Sequence, residues 1–343
     1  MRSETLRGQM WSGAIAIGIA LAVTILLLVI GSSTPGAALR AFFVTPIANR
    51  YYVGNLLSSM GNLLIAGLGI VVAFRAGLYN LGGEGQIYVS ALVGTVVGLA
   101  VSGVPGPVGI IVVIVAAAAT GAIIAGVSGA LRHYFRTPEL ITSFLLSAAL
   151  IPVADYLITG PFNDPDRNLL ATRSLPESYW LPRLLIPSEL SLALPIALLL
   201  AVVVYLVLFR TVAGYELRLF GLNNEFSRYS GINTGAHTVG GLAVSGALHG
   251  LTGGLMVLGT YHATISGFTG GLGWNAIAVA LIARLHPLLA VASALVFSYL
   301  EAGAKASILH TEFTFELGTM IQAIIFFFVT ATVVFRRRRR NDG

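Results

Sequence analysis

The chain contains no cysteine, a single lysine and few charged side chains of any kind. The absence of cysteine excludes a disulfide framework, a thiol nucleophile and a cysteine metal site. Charged residues make up 10% of the 343 residues and hydrophobic residues 56%, whereas soluble globular proteins carry about 25% charged residues. This balance predicts an all-α, polytopic membrane protein.

Motifs for binding nucleotides and metals are also missing. No Gly-x-x-x-x-Gly-Lys-Ser/Thr phosphate loop is present, because the only lysine is Lys305, so the chain does not bind ATP by that route. The six histidines show no metal-binding spacing, and we expect neither a metal nor another cofactor. The formal charge of +6 does not indicate nucleic-acid binding, because five arginines form one run, Arg336 to Arg340. That run follows an apolar segment and predicts a basic cytoplasmic tail over residues 336–343.

Long apolar segments recur along the whole chain. We interpret the first as a retained helix and not a signal peptide, because about 20 residues are enough to span a bilayer. Two of the segments, 87–101 and 275–283, are too short to span alone, and we expect about eight to ten transmembrane helices in total. The ten candidates are residues 11–30, 53–73, 87–101, 108–131, 140–158, 191–208, 237–258, 275–283, 288–302 and 317–335.

The distribution of basic residues predicts the orientation. With ten crossings and both termini inside, fourteen of the 20 basic residues fall on the inner side and six on the outer side, as the positive-inside rule requires. Residues 160–189 then form an extracytoplasmic loop, and their five prolines favour a rigid, extended conformation. Residues 209–236 form a cytoplasmic segment.

A polar, glycine-rich break separates two of the apolar segments. Residues 80–86 hold three glycines, the carboxylate of Glu84 and the carboxamides of Asn80 and Gln86. A charge near a helix centre costs at least ~2.5 kcal/mol, so Glu84 is by default a functional hypothesis. The alternative is a short turn with Glu84 in solvent. A similar glycine-rich stretch ending in Asn275 precedes another short apolar segment, which indicates an internal repeat with a binding site near the midplane.

The cytoplasmic segment contains a predicted short helix. Asn223 is suited to cap a helix over residues 224–230, and Gly231 to end it. Gly221 would mark the other end of this helix. An ordinary connecting loop is the alternative.

One enzymatic pattern is present. Ser128 lies in a Gly-x-Ser-Gly sequence in an apolar segment, and His249 lies in another, as in intramembrane serine proteases. Such a dyad needs hydrogen-bond contact, and small residues that pack helices produce the same pattern. An ion-coupled carrier working alone is a further alternative. The scattered amides, including Asn55 and Asn62, suit instead a passage for a neutral, hydroxyl-rich solute.

Four motifs resemble, in order, those of the bacterial ABC-importer permeases for nucleosides and simple sugars. Residues 74–86, FRAGLYNLGGEGQ, resemble the family's FRAGLFNIGxEGQ. Residues 155–165, DYLITGPFNDP, are similar to its DYL…GPLKDP, and residues 217–233, LRLFGLNNEFSRYSGIN, to its LRAVGxNxxAARYAGIN. Residues 276–287, AIAVALIARLHP, match GIAVALLGRxHP. Asn275 stands where the family often has aspartate, which leaves the identity of the substrate open.

The resemblance implies the transmembrane subunit of an ATP-driven importer in the bacterial plasma membrane, most simply for nucleosides, and it implies no enzymatic activity in this chain. Permeases for simple sugars or branched-chain amino acids are the nearest alternatives. The implied partners are ABC ATPase subunits, a second permease subunit, an extracytoplasmic binding lipoprotein and membrane lipid. The implied gate or substrate path contains Asn80, Glu84, Gln86 and Asn275. The residues implied to couple to the ATPase are Arg218, Gly221, Asn223, Glu225, Arg228, Tyr229 and Gly231.

Overall fold

The computed structural model describes residues 18, 21–166, 168–310, 323 and 327. Helices dominate this part of the chain. The predicted segment at 317–335, apart from two residues, and the basic tail at 336–343 lie outside it. In chain order the helices are α1 Leu21–Gly31, α2 Pro35–Phe43, α3 Arg50–Arg75, α4 Gly83–Ala100, α5 Gly106–Phe135, α6 Glu139–Thr159, α7 Ala193–Arg210, α8 Val212–Leu222, α9 Asn224–Tyr229, α10 Thr234–Met256, α11 Leu272–Ile282 and α12 Pro287–His310.

The structure confirms an all-helical membrane fold. Eight of the ten predicted apolar segments correspond to α3–α7 and α10–α12, and α1 covers the described part of the first. Six helices of the described chain are long and apolar enough to cross a bilayer. The segment predicted at 87–101 is longer than expected, because α4 begins within the glycine-rich break at Gly83. The segment at 275–283 stays short, as the 11-residue helix α11.

The helices form a buried centre and an apolar periphery. Most of the spanning part of α3 and of the α10 span is buried, whereas α5, α6 and α7 leave most of theirs exposed. Exposed leucine, isoleucine and valine side chains carry no penalty in lipid, because lipid tails are as apolar as they are. The polar residues of α3 and α10 therefore face other helices.

Small residues allow the closest helix packing. Gly121 of α5 lies against the backbone of Gly246 in α10, and a Cβ atom at either position would collide with the other helix. In lipid, such close backbone contact replaces the hydrophobic effect as the force that associates helices.

The bundle has two recognisable ends. At the first, which we call the Lys305 end, Glu189 N–H donates to Asn55 Oδ1 of α3 at 2.9 Å. The predicted loop at 160–189 lies at this end, and an isolated bridge joins its Ala171 to Ile265. At the other, the Arg75 end, α3 finishes after 26 residues, which is about 39 Å of helix.

Candidate functional site

The glycine-rich break connects α3 to α4 and lies along one face of α6. Two backbone N–H groups of the break, and one from Tyr79 just before it, donate to side chains of α6 that are four residues apart. Residues at this spacing share one face of a helix. The bonds run from Tyr79 N to Glu139 Oε1 at 3.0 Å, from Leu81 N to Ser143 Oγ at 3.0 Å and from Gly85 N to Ser147 Oγ at 2.7 Å.

Glu139 is itself buried and forms an ion pair with Arg132 of α5. This polar face of α6 is not among the features predicted from the sequence. The available signal was the regular spacing of polar residues at the start of an apolar segment.

Asn80 and Gln86 form a reciprocal amide pair in the interior. Each carboxamide donates to the other at 2.9 Å, and both side chains are fully buried. Asn80 Nδ2 also donates to Ser245 Oγ at 3.0 Å, and Asn80 Oδ1 accepts from Gly82 N–H at 3.0 Å. The pair therefore holds the break against α10 and is not exposed to a passing solute.

The same network fixes the tautomer of His249. Because Asn80 Oδ1 accepts from a backbone N–H, the amide nitrogen of Asn80 must face Gln86 Oε1. His249 Nδ1 lies 2.8 Å from that oxygen and must carry the proton. His249 Nε2 lies 3.2 Å from the carbonyl oxygen of Ala66 in α3. Three elements, α3, α10 and the break, therefore meet at one buried imidazole.

Replacing Asn80 by alanine should destabilise the protein strongly. The change removes four hydrogen bonds and leaves the buried Gln86 Nε2 and the hydroxyl of Ser245 without partners, while Gln86 Oε1 keeps only His249. At roughly 0.6–1.7 kcal/mol for each bond inside a membrane protein, the expected loss is about 2–7 kcal/mol. The melting temperature of the purified complex measures it. Ser102→Ala, outside the network, is the control, and an unchanged melting temperature for Asn80→Ala would contradict the bracing role.

Glu84 bridges the two glycine-rich stretches. Its Oε1 accepts from Gly271 N–H at 2.9 Å and its Oε2 from Gly273 N–H at 2.7 Å. These donors are the unsatisfied amides at the start of α11, and Glu84 also lies in the first turn of α4. A carboxylate between two helix N-termini is stabilised by both macrodipoles. This explains how a half-buried charge is tolerated there.

The two stretches predicted to be symmetric meet in space. A Cβ atom on Gly273 would collide with the backbone of Glu84, so only glycine permits the contact. Asn275 is half-buried one turn into α11, and its side chain makes no hydrogen bond to Asn80, Glu84 or Gln86. The contact between the stretches is made by the backbone of α11 and not by its amide side chain.

The proposed serine protease dyad is wrong. Both ring nitrogens of His249 face Gln86 and Ala66, and the buried hydroxyl of Ser128 has no hydrogen-bond partner in the described chain. Ser128 packs α5 as a small residue.

A cavity of about 420 Å³ opens at the Lys305 end. We call it the Lys305 cavity. Its wall on α3 is a polar stripe at positions i, i+3, i+4 and i+7, which is one face of a helix. Facing it are the aromatic rings of Tyr261 and Phe268 and an ion pair of α12. The stripe consists of Asn55, Ser58, Ser59 and Asn62; the ion pair joins Lys305 Nζ to Glu301 Oε1 at 2.7 Å.

The floor of the Lys305 cavity lies next to the contact between the Glu84 carboxylate and the Gly271 and Gly273 N–H groups, which we call the glycine bridge. Thr269, Gly270 and Leu272 line it, and the adjacent Gly271 N–H is bound by Glu84. Asn62, at the middle of α3, is only 6% exposed, and its amide forms no hydrogen bond within the described chain. Asn62 is therefore a buried amide facing a cavity that leads to Glu84.

At the Arg75 end, two of the sequence motifs pack against each other. Arg75 Nε donates to the carbonyl of Leu285 at 2.7 Å. Arg284 and Leu285 both have positive φ angles, 52° and 57°, and the guanidinium bond fixes this tight turn. Burial lowers the pKa of His286, and the charge of Arg75 lowers it further, so the ring that stacks on Phe209 is neutral.

The predicted coupling segment consists of two helices, α8 and α9. Arg218 of α8 points inward, with its guanidinium 4.8 Å from the ring centre of Phe209. The prediction that Gly221 ends the short helix is wrong. Gly221 lies inside α8, where a Cβ atom would collide with the backbone of Arg75 and Gly77. Gly221 allows α8 to pack closely on the end of α3.

The short helix α9 is confirmed. Asn223 Oδ1 accepts from Phe226 N–H at 2.9 Å, and the chain leaves the helix through Gly231 with φ at +80°. Glu225 and Arg228 are exposed. Three apolar side chains project into solvent beside them: Leu222 is 84% exposed, Phe226 53% and Tyr229 91%.

A basic cleft of about 770 Å³ adjoins α9. Its basic residues are Arg132, His133, Arg136 and Arg228, and the Glu139 carboxylate that pairs with Arg132 also lines it. We call it the Arg228 cleft. Exposed apolar side chains next to a predominantly basic cleft indicate a protein-binding surface. Sequence reasoning had missed Leu222 and Phe226 as parts of this surface.

The fold, its central break and its polar cavity define a membrane transport protein, and the comparisons identify the class as ABC-transporter permeases. A solved structure titled as an inward-facing conformation of a metal-chelate type ABC transporter aligns with 93% of this chain and 99% of its own. The TM-score is 0.50 and the identity 16%, a similarity of fold alone.

Residues 52–330 match the family described as the permease component of the branched-chain amino acid transport system. The chain belongs to this family and is the transmembrane permease subunit of an ABC importer, not itself an enzyme. It is 35% identical to the "Probable riboflavin import permease protein" of Treponema pallidum, over 92% of this chain and 84% of that protein. It is 29% identical to a guanosine ABC transporter permease of Bacillus subtilis, over 91% and 90%. It is also 29% identical to a glucose ABC transporter permease of Haloferax volcanii, over 84% and 78%.

Proposed function

We propose that this permease imports nucleosides across the bacterial plasma membrane, with both termini in the cytoplasm. The Lys305 end is then extracytoplasmic and the Arg75 end cytoplasmic, as the distribution of basic residues favours. The observation that carries the proposal is the Lys305 cavity. Its polar stripe suits the hydroxyl groups of a ribose, and its aromatic pair suits the face of a base.

The similarity to riboflavin, guanosine and glucose permeases supports a hydroxyl-rich substrate. The first two substrates also carry a flat heteroaromatic ring, and the rings of Tyr261 and Phe268 give such a group a surface that glucose does not need. These rings lie 5.4 Å apart at an interplanar angle of 69°. We therefore favour a nucleoside over a simple sugar.

In the proposed mechanism, the glycine bridge forms the gate at the floor of the cavity. Glu84 and the Asn80–Gln86 pair hold this gate, and Asn275 moves with α11. When α11 separates from α4, the carboxylate of Glu84 leaves the Gly271 and Gly273 amides and the floor opens toward the Arg75 end. This is alternating access around a broken segment.

The energy comes from partner subunits. We propose that α8 and α9, within residues 209–236, dock on an ABC ATPase through Arg228, Glu225 and Tyr229. Asn223 and Gly231 define the two ends of α9. Arg218 and Gly221 transmit the movement of α9 to the end of α3. A second permease subunit completes the path, and a binding lipoprotein delivers the substrate to the outer loop at 160–189.

ATP-dependent uptake by proteoliposomes that contain the whole complex tests this proposal, with guanosine, riboflavin and glucose as substrates. Asn62→Leu should lower nucleoside uptake about 10-fold, because a buried amide that faces the substrate is lost. The melting temperature should not fall, because this amide has no partner in the protein. Met60→Leu on the same helix is the control. Uptake of glucose alone would overturn the nucleoside assignment, and normal uptake by Asn62→Leu would remove the cavity from the path.

A further inference from the structure

The chain's only lysine lies on the wall of the Lys305 cavity. Lys305 is paired with Glu301, one turn earlier on α12, and its side chain is 60% exposed, against 16% for Glu301. Ionisable groups within a transmembrane helix are costly and are rare without a function. A pair at this spacing whose lysine is largely exposed contributes little to helix stability. The position of the pair is therefore better explained by a ligand.

The two groups have opposite and unambiguous hydrogen-bonding characters. The Lys305 ammonium can only donate, and the ionised Glu301 carboxylate can only accept. One N–H of Lys305 is used by Glu301, which leaves further donors on the ammonium and a second oxygen on the carboxylate. A ligand that complements this ion pair presents an acceptor to Lys305 and, directly beside it, donors to Glu301.

Nucleobases differ in the order of donors and acceptors along their edges. Guanine presents the acceptor O6, the donor N1–H and the donor N2–H₂ in a row, so that a carboxylate can accept two bonds while an ammonium donates to O6. Lysine contact with guanine O6 is a common pairing in base recognition. Adenine offers a single amino group beside acceptor nitrogens, and the flavin ring offers one N–H between two carbonyls. Neither edge gives the carboxylate two adjacent donors.

The aromatic and amide side chains that line the rest of the Lys305 cavity suit a base whose donor and acceptor edge faces α12. Phe268 is held by a stacking contact with Tyr88, at 5.5 Å between ring centres, and its other neighbour is Tyr261. Tyr261 lines the same cavity as Lys305 and Glu301, which places the aromatic pair and the ion pair around one space. Asn62, buried and without a partner, faces the same space from α3.

We propose that Glu301 and Lys305 are specificity-determining residues that recognise the edge of a 2-amino-6-oxopurine ring, with the carboxylate accepting from N1–H and N2–H₂ and the ammonium donating to O6. This inference rests on the proposed function and goes further by assigning the base. It predicts that the permease itself discriminates among nucleosides, in addition to any binding lipoprotein.

The test is equilibrium binding of radiolabelled nucleosides to the full complex in nanodiscs, without the binding lipoprotein. The wild type should bind guanosine about 10-fold more tightly than inosine, which lacks only the N2 amino group, and adenosine more weakly still. Glu301→Gln should abolish the preference for guanosine over inosine, because an amide offers one acceptor oxygen in place of two. Lys305→Met should weaken both 6-oxopurines and leave adenosine unchanged.

Glu177→Gln is the matched control, because it makes the same carboxylate-to-amide change at an exposed position that does not line the cavity. Equal binding of guanosine and inosine by the wild type would overturn the inference even if no variant folds, and would leave nucleoside import intact. An unchanged guanosine preference in Glu301→Gln would overturn it as well. Binding of glucose and of none of the nucleosides would overturn both this inference and the proposed function.

Discussion

Replacing Glu84 by alanine should lower uptake at least ~10-fold while the complex with its ATPase remains assembled. The carboxylate makes the only side-chain hydrogen bonds that we observe between the two glycine-rich stretches, to Gly271 N–H and Gly273 N–H. Charge-assisted bonds of this kind are worth roughly 1.5–3 kcal/mol each. Without them the N-terminus of α11 loses its cap, and the floor of the Lys305 cavity is no longer tied to α4.

The effect should depend on the charge and on the number of acceptor oxygens. Glu84→Gln keeps one acceptor, loses the charge that two helix N-termini stabilise, and should fall between the wild type and Glu84→Ala. Glu177→Ala, at an exposed position, is the control. The measurements are ATP-dependent uptake and co-purification of the ATPase in the same preparations. Wild-type uptake by Glu84→Ala would contradict the gate, and loss of the ATPase would indicate a general folding defect.

The local features of the site were predictable from the sequence, because neighbouring residues determine them. Asn223 caps α9 as predicted, since capping needs only a polar side chain three residues before a free N–H. The glycine-rich break at 80–86 was predicted as well, because polar residues between apolar segments are unmistakable. Gly221 was interpreted as a boundary for the same local reason, and that interpretation is wrong because a distant contact with Gly77 determines its role.

Partners that are distant in sequence were not predictable. The sequence predicts that Glu84 acts beside Asn275. In the structure its carboxylate instead accepts from Gly271 N–H and Gly273 N–H. Every residue except proline has a backbone N–H, so the sequence does not indicate which of them binds a distant side chain. The polar stripes on α6 and α3, in contrast, are visible in the sequence. Glu139, Ser143 and Ser147 repeat every fourth residue, and the stripe on α3 also follows helical spacing. The spacing shows that the polar residues of each stripe share one helix face. It does not show which other helix or cavity that face contacts.

Reversing the charge at Arg228 should separate the permease from its ATPase. Arg228 lies on α9 and is exposed, and its guanidinium makes no hydrogen bond or ion pair within the described chain, so Arg228→Glu should not disturb the fold. The Arg228 cleft that it lines contains three further basic side chains and one acidic side chain, Glu139, which pairs with Arg132. The excess of basic groups favours an acidic partner. Like charges brought together at an interface cost several kcal/mol. We therefore expect co-purification of the ATPase to fall at least ~10-fold, or ATP hydrolysis to continue without uptake.

The apolar side chains beside Arg228 distinguish docking from simple electrostatic attraction. Tyr229 and Leu222 are almost fully exposed, and large exposed side chains bury most of their surface when a partner binds. Tyr229→Ala should thus weaken ATPase association at high salt, where Arg228→Lys should have little effect because the charge is kept. Arg173→Glu, exposed at the Lys305 end, is the control for charge reversal. If Arg228→Glu still supports ATP-coupled uptake that does not depend on salt, the ATPase binds another surface. The remaining candidate is the turn at Arg284 and Leu285, which Arg75 joins to the end of α3.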